Sequence, residues 1–116
     1  MSTKPPQCWA SDAQARSLRV EITANESLLL PHDEFVFAQL KSDGENQNLR
    51  LVFVTHEVLM RGHSLRRIET AVQRMELSLL TKLPGSHRSL IVDGQPVILE
   101  ITVTESSKQE SQPANG

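Results

Sequence analysis

The stretch VFVTHEVLMRGHSLRRIE, residues 52–69, joins a strand-like run to the start of a helix and decides how the fold is read. LRLVFVT, residues 49–55, is apolar on nearly both faces, as is typical of a central or doubly covered strand. THE, residues 55–57, reads as a tight turn, which would make VLMRG, residues 58–62, a separate strand paired with the first. One long bent strand is the alternative, and we predict the turn. The whole stretch is then a structural joint with its helix start hinged at Gly62.

The flanking sequence predicts further strands joined by turns. Apolar residues alternate with polar ones, or form short apolar runs, in SLRVEIT (17–23), LLLP (28–31), EFVFAQLK (34–41) and SLIVDGQPVILEITVT (89–104). Asp43-Gly44 and Asp93-Gly94 are the residue types that tight hairpin turns favour, because those turns need positive φ angles. Pro96 cannot donate to a strand ladder, so it must face an edge or a bulge.

A single apolar stripe predicts one long helix over residues 64–82. Ser64 is suited to the N-cap position, where its hydroxyl accepts from backbone N–H groups of the first turn. The stripe, with spacings of three and four, consists of Leu65, Ile68, Val72, Met75, Leu79 and Leu83. Lys82, Pro84 and Gly85 supply the stop. Leu77 falls nearly opposite the stripe, so we expect it to be exposed and to be a candidate contact with a second chain.

We therefore predict a single α+β domain over residues 17–104. Five to six mainly antiparallel strands would form a bent sheet or partial barrel, with the long helix packed against it and a C-terminal β-hairpin. A small closed barrel capped by the helix is the alternative. Residues 1–16 read as a flexible N-terminal tail and residues 105–116 as a disordered C-terminal tail. Trp9 is an exception within the first tail: it either folds back onto the domain, which we expect, or meets a partner at an interface.

Composition narrows the classes of partner. The 116 residues carry a formal net charge of −2, without the excess of Lys and Arg that nucleic-acid or anionic-membrane binding generally requires. Cys8 is the one cysteine, so no disulfide can form within the chain. The N-terminus lacks the apolar core of a signal peptide, and no run approaches the length of a membrane span. We expect a soluble cytoplasmic protein, with nucleic acid an unlikely partner and no membrane contact.

His56, Glu57 and His63 raise the question of a metal site. The zinc-binding pattern H-E-x-x-H sets two histidines four residues apart on one helical face. Here the second histidine comes seven residues after the first, and a change of structure is predicted between them. A metal held by His56 and His63 is therefore a remote alternative to a turn and a loop, and we expect no metal or other cofactor.

An anion site at RGHSLRR, residues 61–67, is physically more coherent. The start of a helix presents unpaired backbone N–H groups and the positive end of its dipole. Arg61, Ser64, Arg66 and Arg67 lie in or beside this segment, and Arg74 follows Arg67 by one heptad. Gly62 would allow a close approach. The competing interpretation is that these arginines are solvated charges on an outer helix face, since the segment lacks the glycines of a phosphate-binding loop.

Nothing in the sequence predicts catalysis. Cys8 lies in the presumed tail, so no base is held beside it. The serines show no G-x-S-x-G pattern. Asp33 and Glu34 occupy a connection between strands, where polar residues are common.

The function predicted from the sequence is thus that of a non-catalytic interaction module, a homodimer or larger oligomer. The apolar strand 49–54, Leu77 and the modest core support this reading, as does the contrast between acidic residues in 21–45 and basic residues in 61–74. The alternative is a domain that binds an anion, a small ligand or nucleic acid at the basic start of the helix.

Overall fold

The computed structural model describes residues 8–83 and 94–106, which form eight strands and one α-helix. The strands are β1 (Trp9–Ser11), β2 (Ser17–Thr23), β3 (Glu26–Pro31), β4 (Phe35–Asp43), β5 (Asn46–Phe53), β6 (His56–His63), β7 (Leu77–Thr81) and β8 (Val97–Glu105). The helix is α1 (Arg66–Gln73), and a 3₁₀ turn (His32–Glu34) joins β3 to β4. The fold is α+β, as predicted, but it has two sheets and no closed barrel.

The first sheet has the strand order β1-β7-β2-β3, and the second has the order β4-β5-β6-β8. The second sheet is antiparallel throughout. In the first, β7 is antiparallel to β1 and parallel to β2. Parallel neighbours need a long crossover, and here the crossover runs through β3, through three strands of the second sheet (β4, β5 and β6) and through α1. Helix α1 therefore returns the chain from β6 to the middle of the first sheet. Within the described part of the chain, no helix is long and apolar enough to cross a membrane.

The turn after β5 is confirmed, and VLMRG belongs to a separate strand. Strand β5 ends at Phe53, β6 begins at His56, and Leu51 lies opposite Val58 in the antiparallel ladder. Of the two alternatives for β5, the central strand is confirmed, because β5 pairs with β4 on one side and β6 on the other. The strand is not buried on both faces. Leu51 is fully buried on one face, whereas Arg50 on the other is only half-buried.

The turn between β4 and β5 is also confirmed. Asp43 pairs with Asn46, which leaves Gly44 and Glu45 as the two loop residues. Gly44 has φ +64°. A positive φ at the first loop residue is what a type II′ hairpin turn requires, and glycine adopts it without steric cost.

The long helix is a correction: α1 ends at Gln73 rather than at residue 82. Met75 adopts φ +58°. The N–H of Glu76 donates to the carbonyl of Ala71, and the N–H of Met75 donates to that of Val72, each at 2.9 Å. These two bonds form a Schellman motif, which ends a helix through one left-handed residue. Glycine normally occupies that position. Because methionine occupies it here, the sequence does not indicate that the helix ends at this point.

The second half of the predicted helix is strand β7. Leu79 pairs with Ala10 but Leu77 with Ser11, so Ser78 is the extra residue of a β-bulge. The bulge shifts the strand period, and Leu77 and Leu80 both face the core at 2% and 0% exposure. Leu77 is therefore a core residue and not an exposed one, and Leu77→Asp would test folding rather than an interface.

The start of α1 also differs from the expected cap. Ser64 adopts φ +57° and lies before the N-cap, which is Leu65. No side chain caps the helix from that position. Instead, the N–H of Leu65 donates to Oε1 of Gln47 on β5 at 2.6 Å. The helix start is thus tethered to the second sheet by an interaction between residues 18 positions apart.

The boundaries of the tails are corrected where the structure describes them. Trp9 pairs with Leu80 in β1 and packs against the core, as its folding back predicted, and Cys8 is 1% exposed. Residues 8–16 therefore belong to the domain. Glu105 ends β8. Residues 1–7 and 107–116 lie outside the described residues, as does the first half of the predicted C-terminal hairpin; its second half is β8.

The hydrophobic core lies between the two sheets and beneath α1. Leu18, Val20 and Leu30 enter it from the first sheet, and Ile68 and Val72 enter it from the helix. Contributions from the second sheet are Leu49, Leu51, Phe53, Val58, Met60, Val97 and Ile98. The side chains form one continuous cluster, so both sheets and the helix stabilise each other through a shared buried surface.

Gly62 allows a close approach, as predicted, but to a different partner from the expected anion. It lies opposite Ile98 in the β6–β8 pair, at a bulge. A Cβ atom built on Gly62 would lie 1.8 Å from the carbonyl oxygen of Val97. The close approach that Gly62 allows is therefore to the backbone of β8, and not to a bound anion.

We expect Gly62→Ala to destabilise the fold by about 3 kcal/mol or more, because the clash is with backbone and β8 must move away from β6. Gly44→Ala is the matched control: nothing lies within 4 Å of its built Cβ, and only its φ of +64° opposes the substitution. That control should cost about 1 kcal/mol. Urea denaturation of both variants measures the difference, and equal losses would contradict the close packing of Gly62 against Val97.

Candidate functional site

The first candidate surface is the face of the second sheet that points away from the core. Because Leu49, Leu51, Val58 and Met60 face inward, their neighbours along β5 and β6 face outward. We define the outer face by Phe37, Arg50, Val52, Glu57, Leu59, Arg61, Glu100 and Thr102. The ladder register sets Phe37 beside Val52 and Val52 beside Glu57. It likewise sets Arg50 beside Leu59.

Arg50 is the centre of this face. Its Nε donates to Oε2 of Glu57 at 2.5 Å, and its Nη2 donates to Oε1 at 3.3 Å. Its guanidinium carbon also lies 5.5 Å from the centroid of the Phe37 ring, within cation–π range. The hydrogen bond to Glu57 raises the pKa of Arg50. These contacts hold the arginine flat against neighbouring strands.

Arg61 forms a second pair on the same face. Its Nη2 lies 3.0 Å from Oε2 of Glu100 on β8, directly across the ladder. The hydrogen bond from Arg61, followed by its charge, lowers the pKa of Glu100. Arg61 was predicted to help bind an anion at the helix start, but it instead lies on the sheet and already has a carboxylate partner.

Apolar side chains on and beside the outer face remain accessible to solvent. Phe37 is 44% exposed and Leu59 is 40% exposed. Val36, at a bulge of β4, and Val54, in the turn after β5, are more exposed still. A group of exposed apolar residues surrounded by paired charges is characteristic of interaction surfaces.

The second candidate surface is a depression between α1 and the edge strand β1, with a volume of about 270 Å³. We call it the helix groove, and its lining residues are Trp9, Ser11, Arg67, Thr70, Ala71, Arg74 and Glu76. Of the predicted anion-binding residues, Arg67 and Arg74 meet here. Arg61, Ser64 and Arg66 do not line the groove. Trp9, predicted separately as an interface residue, lies in β1 and lines the side of the groove opposite the two arginines of the helix.

Three polar groove residues were not singled out in the sequence: Ser11, Thr70 and Glu76. Thr70 could have been found, because it lies three residues after Arg67 and four before Arg74 on one helical face. Ser11 and Glu76 gave no such signal. They reach the groove only because β1 pairs with β7, with the N–H of Asp12 donating to the carbonyl of Glu76 at 2.7 Å.

The two histidines cannot share a metal ion. His56 and His63 are the first and last residues of β6, so their Cα atoms are separated by about 23 Å at 3.3 Å per residue. Their odd spacing also points them to opposite faces of the sheet. Nδ1 of His63 bonds the carbonyl of Glu45, and Nδ1 of His56 bonds Oγ1 of Thr55, each at 2.8 Å. No group of three His, Cys, Asp or Glu residues that could hold a metal occurs in the described ranges.

Cys8 is a core residue in this structure. Burial raises the pKa of its thiol, although a bond from the N–H of Ile98 to its sulfur acts in the opposite direction. A thiol with a raised pKa remains protonated at neutral pH and is a poor nucleophile. Cys8 therefore packs the joint between β1 and β8 without offering a reactive group.

The Arg61–Glu100 pair generates a pH-dependent prediction. Because the folded-state pKa of Glu100 lies below the ordinary 4.5, the pair stabilises the fold above that pH and this contribution is lost as the pH falls through the lowered value. We expect carbon NMR titration to find the Glu100 pKa below 4.5 in the parent chain and closer to it in Arg61→Gln. Thr102→Ala, which keeps the pair, should leave the Glu100 pKa unchanged. An unaltered pKa in Arg61→Gln would contradict the pairing.

Comparison of the chain with protein-family models, with curated proteins and with solved structures gave no match.

Proposed function

We propose that this protein is a non-catalytic interaction module whose outer face pairs with the same face of a second copy. The observation that supports this most directly is the exposure of Phe37 and Leu59 on the outer face of a four-stranded sheet. Removing this apolar surface from water by contact with a partner would contribute about 25 cal/mol of binding free energy for each Å² covered. Burying both side chains twice, once in each subunit, supplies the apolar centre that a subunit interface needs.

The area of the face is compatible with a modest dimer. Four strands at about 4.8 Å spacing and eight residues at about 3.3 Å rise present roughly 19 × 26 Å, or about 500 Å². Two such faces bury about 1,000 Å² in total, which is at the lower limit of specific interfaces. We therefore expect a reversible dimer rather than a permanent one.

The charges of the outer face suit pairing with itself. The face presents both signs, from Arg50 with Glu57 and from Arg61 with Glu100. A two-fold axis repeats every contact, so a face with one sign of charge would repel its copy. With both signs present, a rotated copy can set its carboxylates against the guanidinium groups of the first. A second copy of the chain can therefore serve as the partner, and a different protein of opposite charge is not needed.

A nucleic-acid partner at the basic helix start is the less supported proposal. Phosphate binding depends on several unpaired basic groups acting together. Arg61 is removed from that group by Glu100, and the chain as a whole carries a net charge of −2. Arg66, Arg67 and Arg74 remain, which is a small number of contacts for a nucleic-acid backbone.

The test of the proposed dimer is a charge introduced at Leu59. We expect the parent chain to sediment as a concentration-dependent dimer, and Leu59→Glu to weaken the dimer at least tenfold because it buries a carboxylate beside apolar groups. Leu29→Glu is the matched control: Leu29 is 56% exposed, but it lies on β3 of the first sheet. Analytical ultracentrifugation measures all three.

A parent chain that stays monomeric at high concentration would exclude self-association. A dimer that Leu29→Glu disrupts and Leu59→Glu leaves intact would move the interface to the first sheet.

Salt distinguishes the two proposals independently. A dimer held mainly by apolar contact should keep or gain affinity as sodium sulfate is added, because that salt favours burial of apolar surface. Binding to phosphate groups would weaken steeply under the same change. Sedimentation of the parent chain across a salt series, alone and with a short DNA duplex, follows both affinities, and a dimer that dissociates in high salt would contradict an apolar interface.

A further inference from the structure

We propose that the helix groove is a binding site for a small planar ligand that carries one anionic group, such as a phosphate or a carboxylate. This inference concerns a surface that shares no residue with the outer face, so it does not depend on the proposed dimer. It rests on the charges of Arg67 and Arg74, on the position of Trp9, and on the size of the groove.

The two arginines of the groove are available to a ligand. Within the part of the chain that the structure describes, ion pairs form at Arg50 and Arg61, whereas Arg67 and Arg74 take part in none. The two residues are seven apart, so their Cα atoms are separated along α1 by about 10.5 Å. Side chains as long as arginine can converge from that distance on one anion. Guanidinium groups bind phosphate and carboxylate through paired N–H donors.

The third charged residue of the groove limits the ligand. Glu76 lies beside the end of α1, and with two arginines it leaves the lining with a net charge of one positive unit. A ligand with one anionic group is therefore matched, and a polyanion would be repelled by the Glu76 carboxylate. That carboxylate can also accept hydrogen bonds from hydroxyl or amino groups elsewhere on the ligand.

Trp9 supplies an apolar, planar contact opposite the helix. It is half-buried and packs against the core, while its backbone is fixed in β1 opposite Leu80. An indole held in this way can stack on a ring at little cost in conformational entropy. The hydroxyl of Thr70 already donates to the carbonyl of Arg66 at 3.1 Å, so its oxygen remains free to accept. The groove thus combines an aromatic wall with converging polar groups.

The volume of the groove sets the size of the ligand. At about 270 Å³ it lies just below the range of roughly 300–1,000 Å³ typical of small-molecule pockets. A single aromatic ring system with a short anionic substituent fits this volume. Both a mononucleotide and an aromatic carboxylic acid combine a ring system with an anionic group, and the experiment below distinguishes these two classes of ligand.

The sequence provides a built-in probe for the experiment, because Trp9 is the one tryptophan and the chain contains no tyrosine. Its fluorescence in the full chain therefore reports on the groove alone. The chain is titrated with adenosine monophosphate and with benzoate, and in parallel with adenosine and with inorganic phosphate. We expect saturable quenching by at least one of the first two, and binding at least tenfold weaker for the compounds that lack either the anion or the ring.

Substitutions then assign the effect to the groove. Arg67→Ala and Arg74→Ala should each weaken binding of the positive probe about tenfold, because each removes one of two guanidinium contacts. Arg66→Ala is the matched control: it removes the same charge from an exposed neighbour that does not line the groove, and should leave binding within about twofold. Far-ultraviolet circular dichroism confirms that each variant is folded.

Each result bears on the proposal. Saturation with adenosine monophosphate alone supports a nucleotide, and saturation with benzoate alone supports a carboxylic acid. The proposal is overturned if neither probe gives saturable quenching, or if inorganic phosphate or adenosine binds as well as the complete probe. It is also overturned if Arg66→Ala weakens binding as much as Arg67→Ala, since that result indicates general attraction to a basic helix.

Discussion

The left-handed conformation of Met75 is the constraint on which the rest of the structure depends. It ends α1 through the two hydrogen bonds to Ala71 and Val72 and sends the chain into β7. Strand β7 is then paired on both sides, by β1 and by β2, and delivers Leu77 and Leu80 to the core. If the helix continued, β1 would lose its only described neighbour in the sheet, the first sheet would lose its centre, and the helix groove would not form.

The strands of the second sheet could be predicted because their signals are local. Strand β6 and the part of β4 that follows its bulge at Val36 alternate with a two-residue period, which a short stretch of sequence displays, and the turn residues around Gly44 are equally local. Strand β7 could not be predicted on this basis. Its bulge at Ser78 puts Leu77 and Leu80 on one side with a spacing of three, which a helix also produces. The pairing of β7 with β1 and β2 selects the strand over the helix, and no residue close in sequence indicates that pairing.

The candidate surfaces likewise combine features that local sequence predicts with features that depend on tertiary pairing. The heptad spacing of Arg67 and Arg74 is a property of α1 alone, so the sequence placed these residues together. The approach of Trp9 depends on the pairing of β1 with β7, and therefore on the missed end of the helix. On the outer face, the contact between Arg50 and Glu57 follows from the register of β5 and β6 once the turn between them is accepted. The ion pair of Arg61 could not be predicted from local sequence, because its partner, Glu100, lies 39 residues away.

The two surfaces are expected to act independently. Helix α1 is the element through which they could communicate, because its start is tethered to β5 by Gln47 and its side chains line the groove. Coupling between sites requires an element with two discrete arrangements whose balance both ligands alter. Leu65 and Ile68 fix α1 in the core with no exposed area, and the Schellman motif fixes its other end. A helix held at both ends and along one face has one packed position, so a ligand in the groove has no second state of α1 to select and the dimer affinity should not change with it.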